Sequence, residues 1–332
     1  MKMASPAEER ILTGLFLCAD KPDEMLQQLK PDWNKMGGLS INEKLSSLHI
    51  GNLFDRIFPF TDELSSGIER EAFILSHLSQ PDLFLRLRPG REEAVKLKLK
   101  NASINGKVIS DTCLALPNSS KIDAVIELNK EAVVQDYSSQ RAGDFFPSSL
   151  SNSTSKLSVW DCCAASGGKS IMLNDLYPDI QLTVSDIRES IIINLKKRFN
   201  EAGITNYKSF IGDLVTADFM PCTYDFELII ADVPCSGSGT WGRTPEQLYF
   251  FEEKKIGEYA SLQKKILTKV IPHLVPGGHL LYITCSVFKK ENEEAVDFIQ
   301  QNFSLQLIKK EVLKGYDKKA DTMFAALLQK PL

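Results

Sequence analysis

The sequence contains no uninterrupted apolar run approaching the ~18 residues that a membrane-spanning helix needs, and its opening, MKMASPAEER, has no apolar segment after the lysine. Neither a span nor a secretion leader is therefore expected, and the cytoplasm is the expected location. It also lacks C-x-x-C pairs: the seven cysteines, Cys18, Cys113, Cys162, Cys163, Cys222, Cys235 and Cys285, are odd in number and scattered, as free thiols in a reducing compartment are. The four histidines, His49, His77, His273 and His279, show no H-E-x-x-H or mixed Cys/His spacing, so no protein-built metal site is expected. Positive charge is not in excess either. With a net charge of -4, any surface for nucleic acid has to be local.

What is present is an ordinary globular composition, 43% hydrophobic and 25% charged, over 332 residues, a length suited to two or three domains. Residues 1–80 read as a helical N-terminal region, with Ile11, Leu12, Leu15, Phe16 and Ala19 at helical spacing and the pattern repeated over Glu71 to Leu78. Residues 81–132 change to short alternating runs, LFLRLR, VKLKLK, KVIS and AVIEL, which predict the strands of a small α/β module. Between residues 86 and 107, Arg86, Arg88, Arg91, Lys96, Lys98, Lys100 and Lys107 face only Glu92 and Glu93. Alternation in VKLKLK predicts a strand with Lys96, Lys98 and Lys100 on one face, either an edge protected by lysines or a phosphate-contacting row. A Ser-rich stretch, 143–156, predicts a loop. From 157 onward, LSVWD, QLTVSD, YKSFIGD, FELIIAD and HLLYITC read as buried strands separated by helical patterns, which implies an α/β domain with a parallel sheet covered on both faces.

Four of these segments end in aspartate, Asp161, Asp186, Asp213 and Asp232, and ligands of open α/β sheets bind beyond the carboxyl ends of strands. A single such aspartate is a common turn-former; the recurrence points to a rim of carboxylates. After Asp161 the small-residue loop CCAASGGKS opens a helix. A phosphate-cradling G-x-x-x-x-G-K-[ST] loop matches Gly168, Lys169 and Ser170 but requires glycine where Cys163 stands, and no G-x-G-x-x-G occurs. What remains is a loop over which a nucleoside can lie, with Asp186, 18 residues beyond Gly168, placed to accept ribose hydroxyls.

On the same rim, DVPCSGSG and TCS each put a cysteine just past a strand end. One isolated cysteine is more often inert packing. Two at neighbouring strand ends suit a reaction that needs both. Carbon-5 of cytosine is a poor nucleophile until a thiolate adds to carbon-6, and afterwards the carbon-5 proton must leave and the thiolate be expelled, which a second acid/base group assists. Asp232, two residues before Pro234-Cys235, is placed to act at the ring nitrogen if it is held neutral. Residue types alone leave open which cysteine attacks.

Taken in order, VWDCCAASGGKS, SDIRES, GDL, ADVPCSGSG and YITCSVFKKENEEAV, with VVQDYSSQ as lead-in, resemble the signatures of the RsmB/Nop/Sun-type S-adenosylmethionine-dependent RNA (cytosine-5) methyltransferases. The likeness runs from about residue 81 to the end. It implies a Rossmann-like class I methyltransferase sheet over 133–332, a ferredoxin-like RNA-binding module over 81–132, S-adenosylmethionine as cofactor and RNA, rRNA first and tRNA second, as substrate. By the same resemblance Cys163, Ala164, Ala165, Ser166, Gly167, Gly168 and Lys169 contact the methionine part of the cofactor, Asp186 its ribose and Asp213 its adenine, with Asp232 beside them. Cys285 is then the nucleophile and Cys235 assists release, Lys169 pairs with a carboxylate or helps order the site, and Asp232 completes the catalytic set. Arg86, Arg88, Lys96, Lys98, Lys100 and Arg243 are the candidate RNA contacts. Neither a metal nor a membrane is implied, and a monomer is expected. Departures from the family's pattern are Ser166 in place of a common proline and a last strand, ADTMFAALLQK, without the usual glycine and paired aromatics. A non-catalytic RNA-binding or ribosome-assembly factor on the same fold is the competing reading.

Overall fold

A computed structural model of the chain describes residues 7–49, 57–147, 156–216 and 225–332. Cys222 and residues 148–155 of the expected Ser-rich loop lie outside the described residues. Among the described residues no helix is long and apolar enough to cross a membrane. The chain forms two compact units, one of residues 1–62 and 69–80, the other of residues 63–68 and 81–332.

The first unit is helical. Ala7–Cys18 forms because Leu12 and Phe16, four apart, share one face, which packs with Leu26 and Trp33 while Ile11 stays outside. The helix Ile41–Ser47 starts at a capping box in which Ser40 and Glu43 satisfy each other's backbone amides.

The second unit contains two sheets. In the smaller, β1 (Leu83–Leu87), β2 (Lys107–Ser110), β3 (Cys113–Leu116) and β4 (Ala132–Val134) lie in the order β2-β3-β1-β4, every pair antiparallel. The predicted VKLKLK strand is instead part of the helix Glu92–Asn101. Leucine and lysine form helices readily, and six residues of alternation carry little weight against Glu92 and Glu93 at the positive end of a helix and Lys98 and Lys100 at its negative end. Val95 and Leu99, four apart, enter the core beside Leu85, Leu87, Leu114 and Leu116, while Leu97 is 58% exposed. The lysines consequently do not share one face. AVIEL is not a strand either: residues 123–125 form a turn that buries Ile122 and Ile126 in the same core.

The larger sheet has β5 (Ser158–Asp161), β6 (Gln181–Asp186), β7 (Tyr207–Ile211), β8 (Phe226–Asp232), β9 (Leu274–Thr284), β10 (Gln306–Leu313) and β11 (Met323–Gln329) in the order β10-β11-β9-β8-β5-β6-β7. All run parallel except β11, which is antiparallel to both neighbours, so the expected all-parallel sheet is corrected at this edge. Alternate residues go to opposite faces: Val159, Leu228, Ile230, Leu281 and Ile283 to one core, Trp160, Ile229, Ala231, Leu280 and Tyr282 to the other. The helices Gly168–Leu176 and Glu189–Glu201 cover the first face, Lys254–Val270 and Glu293–Phe303 the second. This is the α/β class I methyltransferase arrangement.

Candidate active site

Strand order reverses around β5, which pairs with β6 on one side and β8 on the other, and a crevice opens there beyond the carboxyl ends of the strands. The cavity at this point, about 610 Å³, is lined by Cys163, Ala165, Asp186, Asp213, Asp232, Cys235 and Cys285. Residues read from the sequence as the cofactor half and as the chemical half thus line one cavity. The loop after β5 turns tightly, with Ala165 and Gly167 at φ 45° and 81°. A Cβ on Gly167 would lie 2.6 Å from the Phe199 ring, so glycine lets the loop close onto the helix behind it. Ala164 donates its amide to Ser185 O at 2.9 Å and is buried, Ser166 is held by Arg198, and Gly168 begins the helix; these support the loop's shape rather than line the cavity.

Asp186 accepts from the backbone and guanidinium of Arg188 at 3.0 and 3.1 Å. Asp213 accepts from the Val215 amide and Thr216 hydroxyl, and these bonds hold its carboxyl below the ordinary range. Lys169 Nζ donates to Asp232 at 2.6 Å. Burial works against the Lys169 charge, but attraction and hydrogen bonding to Asp232, then attraction to Asp161 and Cys285, prevail, and the ammonium is held above its ordinary range. Beneath it Asp161, fully buried, accepts from Ser170 at 2.7 Å; desolvation, only partly offset by that bond, pushes its carboxyl up to about 7.

The two sulfurs face each other across the ends of β8 and β9, with Cys235 Sγ 3.1 Å from Cys285 Sγ. Parallel pairing sets Asp232 opposite Ile283, and the chain continues from there into the two cysteine loops. Gly239 donates to Cys285 O at 2.9 Å and accepts from Thr322 at 2.9 Å; a Cβ there would stand 1.8 Å from Thr322 O, which explains glycine in this turn. The hydrogen bond between the two sulfurs, then burial, push the Cys235 thiol well above the ordinary range.

The sequence profile of the 16S rRNA methyltransferase RsmB/F family matches residues 149–328, more than half of the chain. The chain belongs to the RsmB/F family. Among its relatives, the ribosomal RNA small subunit methyltransferase B of Enterobacter sp. (strain 638) is 29% identical over 236 residues, covering 68% of this chain and 53% of that protein. The protein of the same name from Cronobacter sakazakii is 34% identical over 146 residues, 42% of this chain and 32% of its own length. The chain spans about half the length, or less, of these relatives. Solved structures share the fold: NSun6 from Pyrococcus horikoshii with SFG has a TM-score of 0.69 at 14% identity, covering 82% of this chain and 97% of that one. A methyltransferase homolog protein from Pyrococcus horikoshii has a TM-score of 0.67 at 21% identity, covering 87% and 98%.

In this RsmB/F member the basic residues singled out from sequence are mostly engaged inside the protein. Arg86 and Arg88 both bond Asp175, at 2.6 Å each, with all three side chains nearly buried, and Arg88 also donates to the carbonyls of Asn129 and Ala202. These arginines fasten β1 to the helix Gly168–Leu176. Lys96 pairs with Glu93 at 2.9 Å and Lys98 with Glu131 at 2.8 Å, while Lys100 stays exposed. Arg243 bridges Asp136 and Asp321, each at 2.8 Å. Asp175→Ala should strand two guanidinium groups and lower unfolding free energy by about 3–5 kcal/mol, the penalty of breaking a buried pair from one side. A urea-melting midpoint unchanged from wild type would show that the joint contributes nothing. Sequence reasoning missed Arg188 on Asp186, the apolar wall of Ile187, Leu214, Val215, Tyr259, Leu262 and Ile266, and the polar residues around the cysteine loops. Arg188 and Glu291 lay within the quoted motifs, SDIRES and KKENEEAV, but no role had been drawn from them.

Proposed function

We propose that the chain catalyses S-adenosylmethionine-dependent methylation of carbon-5 of cytosine in RNA, with small-subunit rRNA the favoured substrate. The observation that carries this reading is the 3.1 Å approach of Cys235 and Cys285 on the wall of the same cavity that holds Asp186 and Asp213. The cavity fits the cofactor. Its volume lies within the 300–1,000 Å³ usual for small-molecule sites, its wall offers Ile187, Leu214 and Val215 to a flat apolar base, and the Asp186 carboxylate, on the same wall, can accept from a ribose diol. The Cys163–Ala165 loop, Asp186 and Asp213 would hold it, and when bound it supplies an electrophilic methyl group.

The residues divide the remaining work by chemistry. Cys285, as thiolate, adds to carbon-6 of cytosine; the electron pair arriving at carbon-5 makes that carbon nucleophilic. The Lys169 ammonium favours a negative sulfur close by. Cys235, with its sulfur 3.1 Å from that of Cys285, is the group positioned to promote elimination once carbon-5 has been alkylated: as a thiolate it takes the carbon-5 proton, the carbon-6–sulfur bond breaks, and Cys285 leaves as a thiolate. Asp232 accepts from Lys169 at 2.6 Å, so a neutral Asp232 acid at the ring nitrogen would forgo that ion pair. Asp232 as a carboxylate is better suited to accept from cytosine's exocyclic amino group.

The preference for small-subunit rRNA rests on the names of the relatives. Bisulfite sequencing of total RNA from cells with and without the gene tests substrate and chemistry together. We expect one cytosine of small-subunit rRNA to resist conversion only when the gene is present. Protection confined to tRNA would move the substrate assignment, and RNA methylated by the purified protein at another atom would end the cytosine carbon-5 reading.

A further inference from the structure

Outside the lining of the cofactor cavity, and bonded to both cysteine loops, lies a carboxylate that neither the cofactor nor the thiol chemistry uses. Glu291 has no exposed surface. Its Oε2 accepts from the backbone N–H of Ser236, next to Cys235, at 2.8 Å, and its Oε1 accepts from Ser286 Oγ, next to Cys285, at 3.0 Å. The two cysteine loops leave different strands, and this one side chain ties both. Gln263 reinforces the Cys235 side by donating to Pro234 O at 3.1 Å and to Glu291 Oε2 at 3.3 Å. Tyr282, inside β9, donates to the Glu291 carbonyl at 2.5 Å and fixes the backbone from which the carboxylate projects. Asn292 holds the other loop, donating to Ser286 O at 2.9 Å while accepting from Thr284 at 2.6 Å.

We propose that Glu291 is a positioning residue that sets the separation of the Cys235 and Cys285 sulfurs by bonding the residue after each; this rests on the two-thiol reaction proposed above. A carboxylate suits the task because its two oxygens accept from two loops at once. An aliphatic side chain in the same place leaves the Ser236 N–H without its acceptor in a dry interior, and the loop must shift to satisfy it. Burial pushes the Glu291 carboxyl above its ordinary range even against the donors from Ser236, Ser286 and Gln263, in keeping with a site closed to water.

The test reads sulfur geometry separately from methylation. Diamide oxidises two adjacent thiols to a disulfide; the thiols lose two electrons and two protons, and the diazene is reduced to the hydrazine. The rate of Cys235–Cys285 disulfide formation in the full chain without RNA, followed by mass spectrometry of alkylated peptides, therefore reports how the sulfurs are held. Glu291→Ala should slow it by about tenfold and lower kcat by about 100-fold, the scale expected for a small misplacement of reacting groups, while cofactor affinity and the KM for RNA stay within about twofold. Glu291→Gln, whose amide can accept from Ser236 and donate to Ser286 Oγ, should restore both rates to within about threefold. If Glu291→Ala fails to fold, Ser286→Ala, which cuts one tie, is measured for the same ordering. A folded Glu291→Ala protein with wild-type disulfide and turnover rates overturns the proposal, as does a Gln variant as impaired as the Ala variant. If the disulfide rates order as expected but no variant, wild type included, methylates cytosine, the reaction falls and the positioning role stands.

Discussion

Cys285→Ala is expected to abolish methyl transfer, by about 10⁴-fold or more in single-turnover rate, the scale on which enzymes lose activity when a covalent nucleophile is deleted. Cofactor affinity should be unchanged. The carboxylates proposed to hold the cofactor, Asp186 and Asp213, are fixed by Arg188, Val215 and Thr216 rather than by either cysteine. The hydrogen bond from Lys169 to Asp232 does not use the Cys285 side chain. The substitution therefore separates binding from chemistry. Transfer of labelled methyl groups, together with calorimetric titration of the cofactor, checks both sides. Turnover within tenfold of wild type would remove Cys285 from the nucleophile's role. Loss of cofactor binding in parallel would show that the variant has damaged the pocket and that its inactivity says nothing of attack on carbon-6.

The central sheet was legible in the sequence because its strands are buried on both faces and flanked by helices, so LSVWD, QLTVSD, FELIIAD and HLLYITC carry an unambiguous apolar signal. β10 was not legible: QLIKKEVL is an edge strand whose exposed lysines look like surface anywhere. VKLKLK misled because a two-residue alternation and a four-residue spacing coincide over so short a run, and Val95 and Leu99 satisfy both. The cysteines were legible because topology carries two successive strand ends to one rim. The arginines were not. Arg86 and Arg88 read as a basic patch by composition, yet their partner Asp175 stands 89 and 87 residues further along, a pairing no local pattern reveals. Glu291 is the same case within the site, since its bond to Ser236 spans 55 residues.

Cys235→Ala should have the opposite signature to loss of the nucleophile. With Cys285 intact, addition to carbon-6 and methylation of carbon-5 proceed, but the step that frees Cys285 loses its nearest acid/base group. Turnover falls by about 10²–10⁴-fold, the range for losing a positioned proton-transfer group, while a protein linked to RNA through Cys285 accumulates. On a denaturing gel this is a slower band that appears only with cofactor and RNA present, and it should vanish in the Cys235→Ala/Cys285→Ala double variant. The 3.1 Å separation makes the experiment decisive, because at that distance either sulfur can reach a base that the other can reach. Exchanged roles would put the band in Cys285→Ala and leave Cys235→Ala without one. The first pattern is the one expected, because the Lys169 ammonium and the Cys285 sulfur attract each other, which suits Cys285 to the attack on carbon-6.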